Sequence, residues 1–231
     1  MYLSNRDIAW AIECGKLIVE PPPDPVKDGF DQTGIDLHLG RIDTAKVWDI
    51  EAYRKAATSR SAVEHRGELS LGGFDWESLA RDYLIAVPED DSQPVFCRGK
   101  DVVVKPFGFL LWATREKVGT PVIDPTKPLA SQQKPELICF VNAKSTKART
   151  GLLVHFTAPT IHSDWVGNIT LEITNLGPFD FVLREGDAIA QLTVATISSA
   201  PDLRLRKSKQ MTQGQIDPSG APPRPPRSGK G

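Results

Sequence analysis

Residues 142–175 contain the feature that most restricts how this chain can fold. Near their end Ile169, Leu171 and Ile173 alternate with Thr170, Glu172 and Thr174. A period of two suits a strand with one face buried and the other toward water, not a helix. It sets Glu172 on the polar face, between two threonines. Residues 34–40, GIDLHLG, repeat the pattern, with Ile35, Leu37 and Leu39 against Asp36 and His38. His38 is therefore expected on the surface of a half-buried strand. Further apolar runs bounded by turn residues follow: DVVVKP and GFLLWATRE around Pro106 and Gly108, ELICFV at 136–141, and the run 151–154. FDFVL and AIAQLTVATI flank the turn REGD in hairpin spacing. Many short strands with one apolar face must stack or close on one another. The expectation is a mainly β fold, a distorted β-barrel or jelly roll with a short N-terminal helix.

That helix is predicted over residues 3–15, with Ser4 as cap, Asp7 at the capping-box position, Ile8 and Ile12 on one face, and Gly15 at the end. The prolines of IVEPPPDPV then force an extended path. Residues 43–95 are the least regular and read as an insertion or flap, with helix signals at 44–57 and 75–82. Residues 119–136, rich in Pro, Lys and Gln, read as an exposed loop. One domain is expected over 1–215, followed by a disordered Pro/Arg-rich tail at 216–231.

Composition narrows the function classes. A chain of 231 residues that is 40% hydrophobic and 25% charged has enough apolar mass for a real core. A formal net charge of −1 gives no bulk reason to bind nucleic acid or a membrane surface. No apolar run is long enough to span a bilayer and the N-terminus has no basic-then-apolar leader, so a cytoplasmic protein is expected. Cys14, Cys97 and Cys139 are far apart and form no CxxC pair, and the four histidines include no HExxH. Neither a disulfide framework nor a zinc site is expected.

The chemistry-bearing residues cluster in 142–175. Ser145 and Arg149, four apart, would share one side of a helical turn. Alone they are an ordinary polar turn, and a glutamate on a strand is usually a solvated face residue. His155 reads as a structural residue or as a support for a catalytic group.

Five motifs together resemble the dCTP deaminases, of the dUTPase-like trimeric β superfamily: LSNRDI, GIDLHLG, KSTKARTGLLVH, TLEITNLG and the turn before AIAQL. They occur in that family's order from residue 1 to about residue 215. The resemblance implies a homotrimer with active sites at subunit interfaces, and hydrolytic conversion of dCTP to dUTP and ammonia for thymidylate synthesis. It implies Glu172, Ser145 and Arg149 as the catalytic residues. Lys144, Thr146, Phe156, Ala158, His162, Lys209 and Gln213 would contact substrate, the last two from a tail that folds over the triphosphate. Mg²⁺ would arrive with the phosphates rather than on protein ligands, and dTTP could act as feedback inhibitor. The zinc deaminases carry an H-x-E…P-C-x-x-C signature that is missing here. That leaves a metal-free route in which one carboxylate moves the protons. His162 stands where the superfamily usually has an aspartate, which argues against phosphate hydrolysis while still allowing a bond to the sugar hydroxyl. Two other readings stay open: a bifunctional enzyme giving dUMP and pyrophosphate, and a silent nucleotide-binding regulator.

Overall fold

The computed structural model describes residues 1–24, 30–60, 69, 75–120, 137–155, 157–163 and 165–199. Phe156, Lys209, Gln213, the tail 216–231 and all but the first two residues of the loop 119–136 lie outside them.

Helix α1 (Asn5–Glu13) opens the chain, held by local chemistry. The Asp7 backbone N–H donates to Ser4 Oγ, and the Ser4 N–H donates back to Asp7 Oδ2, both at 3.4 Å. Ile8 and Ala11 face the core. Gly15, at φ +68°, accepts the left-handed turn that ends the helix. Strands β1 (Ile18–Glu20), β2 (Phe30–Asp31) and β3 (Gly34–His38) follow, then β4 (Lys46–Trp48), α2 (Ile50–Arg60), α3 (Trp76–Tyr83) and β5 (Leu84–Ala86). Next come β6 (Val95–Arg98), β7 (Asp101–Val104), the long β8 (Phe109–Gly119) and β9 (Leu137–Ala143). A single helical turn, α4 (Ser145–Ala148), leads to β10 (Leu152–Val154) and β11 (Thr160–Ile161). The described chain ends with β12 (Val166–Asn175), β13 (Phe181–Arg184) and β14 (Ala188–Thr196).

These strands form three antiparallel sheets. One runs β10-β12-β8-β4-β5 with β1 also paired to β8; the second runs β11-β9-β14-β3-β2; the third is β13-β7-β6. All three feed one core, in which Leu37, Leu110, Trp112, Leu171, Ile173 and Leu192 are fully buried. Burying each such side chain stabilises the fold by about 1.5–3 kcal/mol before entropy is counted. The Trp112 indole also donates its N–H to Gly40 O at 3.1 Å, so its polar edge is satisfied. The mainly β class that the alternation demands is the one observed.

Three expectations change. FDFVL and AIAQLTVATI do form strands, but β13 pairs with β7 while β14 pairs with β3 and β9. The REGD turn between them is pinned from outside: Gly186 N–H donates to Leu39 O and Leu39 N–H to Asp187 O, at 2.9 and 3.0 Å. The chain therefore crosses from one sheet to another instead of folding back as a hairpin. Second, residues 43–95 are helical only in part. The start of the region forms β4, which joins β8 and pairs with β5, so the insertion is anchored in the six-stranded sheet.

Third, His38 is buried, not on the surface, with 6% of its area exposed. Its Nδ1 lies 2.8 Å from Glu116 Oε1, and its backbone N–H donates to Glu116 Oε2 at 2.8 Å. A bulge is the cause. Between Asn168 and Thr170 the β12 register advances two residues, while β8 passes from Lys117 to Ala113. The extra β8 residues turn Glu116 toward β3, where Leu39 bridges Thr114.

Candidate active site

The polar turn forms as its spacing suggests. Lys144 is the N-cap of α4, and Arg149 is its C-cap with its backbone N–H donating to Ser145 O at 3.1 Å. Ser145, Thr146 and Arg149 are exposed, and neither the Ser145 nor the Arg149 side chain bonds to another described residue. Lys147, on the inner side, holds the turn to β14 by donating from Nζ to Ala188 O. Burial lowers the Lys147 pKa, with the positive charge of Lys144 adding to the effect and Asp187 and Asp36 opposing it. Gly151, at φ +93°, ends the turn where a Cβ would sit 2.3 Å from the Gly177 backbone nitrogen. Only glycine lets the two segments close there. Lys144 itself is engaged: its Nζ sits 2.5 and 2.6 Å from the two carboxylate oxygens of Asp36 on β3.

The other half of the site lies on β12. Glu172 pairs across the sheet with Leu111 of β8 and leaves its side chain 32% exposed. Its Oε2 is 2.9 Å from His155 Nδ1, and the His155 backbone N–H donates to Glu172 O at 2.8 Å. His155 is buried and adopts φ +51°, an uncommon conformation for a non-glycine residue. Burial alone would raise the Glu172 pKa and is the largest single influence. The hydrogen bond and charge of His155, with a bond to the Glu172 backbone, outweigh it and hold the carboxyl below the ordinary value of 4.5. At neutral pH Glu172 is thus a half-buried, ionised, oriented carboxylate. Such a carboxylate can accept a proton from a water held against it and deliver it elsewhere.

Strand β10 separates the two halves. Gly151 O accepts from Leu176 N–H at one end and His155 bonds Glu172 at the other. The four-residue step from Glu172 to Leu176 at ~3.3 Å each puts the turn about 13 Å along β12 from the carboxylate. Ser145 and Arg149 therefore do not meet Glu172 within one chain. Beyond His155 the chain crosses to the five-stranded sheet, where Val141 N–H donates to Pro159 O at 2.9 Å and β11 pairs with β9. Ala158 and His162 are exposed on this crossing. Two partners escaped the sequence reading, the pairing of His155 with Glu172 and that of Asp36 with Lys144. The histidine directly after an apolar run and the aspartate within GIDLHLG were the available signals; neither spacing reveals a contact made between strands.

Residues 2–197 match the family described as dCTP deaminase-like. A "dCTP deaminase" of Buchnera aphidicola subsp. Acyrthosiphon pisum is 30% identical, covering 95% of this chain and 97% of the relative. A "dCTP deaminase, dUMP-forming" of Methanobrevibacter smithii is 25% identical, covering 91% and 90%. The crystal structure of a 2′-deoxycytidine 5′-triphosphate deaminase from Agrobacterium tumefaciens superposes with a TM-score of 0.51 at 16% identity, over 84% of this chain. This chain spans 47% of that chain's length, and the likeness speaks for the fold alone. A family match that runs from β14 back to the first residues of the chain, on an antiparallel β frame, leads to one conclusion: the chain belongs to the dCTP deaminase-like family.

Proposed function

We propose that this chain deaminates dCTP hydrolytically, dCTP + H₂O → dUTP + NH₃. The observation that carries the reading is the Glu172–His155 pair, a carboxylate kept ionised although half-buried. Such a group can take a proton from the attacking water and pass it to the ring N3. Oxygen adds to C4, the C4–N4 bond breaks, and ammonia leaves with the second proton of the water. Ser145 holds the water or the exocyclic amine, and Arg149 stabilises negative charge as it develops. Ala158, Phe156 and His162 are assigned to the base and sugar. Lys144, Thr146, Lys209 and Gln213 are assigned to the triphosphate.

The working unit is read as a homotrimer. Within one chain the turn 145–149 and Glu172 are held apart by the length of β10. A second copy must bring its own Ser145 and Arg149 to this Glu172. The nucleotide is read as arriving with Mg²⁺ on its phosphates. Among the described residues no group of three or more His, Cys, Asp or Glu is placed to hold a metal ion. A hard cation bound by phosphate oxygens needs no such group. The described residues include no helix long and apolar enough to cross a membrane, and the reaction is read as cytoplasmic. dTTP is a candidate feedback inhibitor of the same pocket.

The test is product analysis by chromatography after incubation with dCTP and Mg²⁺. Stoichiometric dUTP and ammonia are expected. Tight binding of dCTP without ammonia release would replace the enzyme by a silent nucleotide-binding relative. A second reading, release of dUMP and pyrophosphate, is favoured by the relative named dUMP-forming and opposed by His162. Pyrophosphate equal to the dCTP consumed would establish it.

A further inference from the structure

A cleft of about 540 Å³ lies outside the candidate active site, between the β4–α2 corner and the start of β8. Its walls include the aromatic rings of Trp48, Phe107 and Phe109 and the apolar side chains of Ile50 and Ile85. Phe107 is 81% exposed, and Ile50, Ile85 and Phe109 are 46%, 40% and 37% exposed. Phe107 is also held at φ +67°, its backbone N–H donating to Asn175 O at 2.7 Å. A bulky side chain kept in left-handed backbone and presented to water is costly in both respects, which points to a use for the ring. Carboxylates outnumber cations at the rim: Asp49 and Glu51 line the cleft with a single cation, Arg54, and Glu89, Asp90 and Asp91, outside the lining, directly follow the lining residue Pro88.

Aromatic-walled grooves with acidic rims recognise basic, proline-rich segments, because polyproline helix is already stiff and its rings stack on aromatic faces. This chain carries such a segment. Residues 222–227 read Pro-Pro-Arg-Pro-Pro-Arg, and Lys230 follows. We propose that this cleft is the docking site for the chain's own C-terminal segment, residues 222–227. The prolines would sit against Trp48, Phe107 and Phe109, with Arg224 and Arg227 at the acidic rim. Reach is no obstacle. Residues 197–221 can span up to about 80 Å when extended, against roughly 45 Å across a globular chain of this length. Tethering supplies an effective concentration of about a millimolar, so a weak intrinsic affinity suffices. Phe107 and the turn 145–149 are joined through backbone bonds of Asn175 and of Leu176 to Gly151. A docked tail would therefore run beside one half of the candidate active site. The inference does not depend on the proposed reaction.

The test uses the full chain carrying P222S, P223S, P225S and P226S, whose own tail no longer competes. A fluorescein-labelled peptide of residues 216–231 is titrated against it by anisotropy. Saturable binding below a millimolar is expected, weakened at least tenfold by Phe107→Gly and by Glu51→Lys, and weakened several-fold by 0.5 M salt as the rim charges are screened. Glycine accepts the Phe107 backbone conformation and Glu51 is exposed, so both variants should melt like the parent. No saturable binding, or binding indifferent to both variants, overturns the proposal. A change of mass in light scattering on Phe107→Gly, without peptide binding, assigns the cleft to a second copy and also overturns it. None of these outcomes touches dCTP turnover, so failure here is distinguishable from failure of the deaminase reading.

Discussion

Among the described residues stand two histidine–glutamate pairs, their glutamates on the neighbouring strands β8 and β12 and their contact distances nearly equal. His38 and Glu116 approach to 2.8 Å, with side chains 8% and 4% exposed. His155 and Glu172 approach to 2.9 Å, with side chains 7% and 32% exposed. The difference is what surrounds the carboxylate. Glu116 is saturated: it accepts the His38 backbone N–H, meets the His38 ring, and is approached by Arg115 at 2.8 Å. Both carboxylate oxygens are engaged, the His38 contacts clasp β3 onto β8, and with 4% of the side chain exposed no substrate can reach it. Among the described residues Glu172 has one side-chain partner, His155, and its side chain is 32% exposed, so its charge stays available for a reacting molecule. The same pair of residue types serves as a clasp where it is sealed, and on the proposed mechanism as a proton carrier where one face is left open.

Breaking each pair should give opposite results. Glu172→Gln is expected to lower kcat on dCTP by about 10²–10⁴-fold, with only a small drop in melting temperature at neutral pH. Wild-type turnover in that variant would remove Glu172 from the mechanism. Glu116→Ala should cost about 3–5 kcal/mol in urea unfolding, since it strips the buried His38 ring and backbone N–H of their carboxylate. Where that variant still folds, its kcat should stay within a few-fold of wild type.

His155→Asn sharpens the contrast by leaving the carboxyl but removing its support. A drop in kcat of roughly ten- to a hundredfold is expected from lost orientation, together with a shift of the acid limb of the pH–rate profile. With the histidine gone, burial dominates and the Glu172 pKa rises, so the limb must move to higher pH. In the intact protein the folded pKa of Glu172 lies below its unfolded value, near 4.5. Its stabilising contribution is full above the unfolded value and lost as pH falls through the folded one. The melting temperatures of wild type and Glu172→Gln should therefore converge at acid pH. An acid limb that moves down in His155→Asn would show that His155 acts otherwise.

Smaller effects are expected at the edges. Asp36→Asn frees Lys144 from its carboxylate, and KM for dCTP should fall roughly two- to fivefold if Lys144 meets a phosphate. An unchanged KM would leave Lys144 a purely structural residue. Cys139 is sealed in the core, its thiol pushed up to about 12 by burial, whereas Cys14 is exposed. At pH 8 a thiol reagent should label Cys14 promptly and Cys139 only through opening of the fold. Labelling of Cys139 should be faster in Glu116→Ala and unchanged in Glu172→Gln.

What was readable from the residues was local or periodic. The capping box of α1 needs only Ser4 and Asp7, four positions in one turn, and it formed. The alternation of β12 needs only its own strand, and it set Glu172 on the less buried face. The polar turn at Ser145 was legible, though its helical form, α4, was only one option the spacing allowed; the resemblance implied that it and Glu172 belong to one site. The readings that failed required knowing a partner far away in the chain. The β13–β14 hairpin is plausible from its turn, yet Leu39 captures that turn. The pattern of GIDLHLG puts His38 outward, yet a bulge more than seventy positions away brings Glu116 to cover it.

The sequence by itself determined the faces of β12 and the first helix, and it named the residues of the candidate site, because each depends on neighbours a few residues apart. Only the tertiary structure decided which of two glutamates is sealed, that His155 orients the open one, and that Lys144 is held by Asp36. It also decided that Ser145 and Arg149 stand a strand's length from Glu172 within the chain. Those outcomes depend on sheet register and on one bulge, and register is set by the summed packing of both sheet faces. No single segment carries that information.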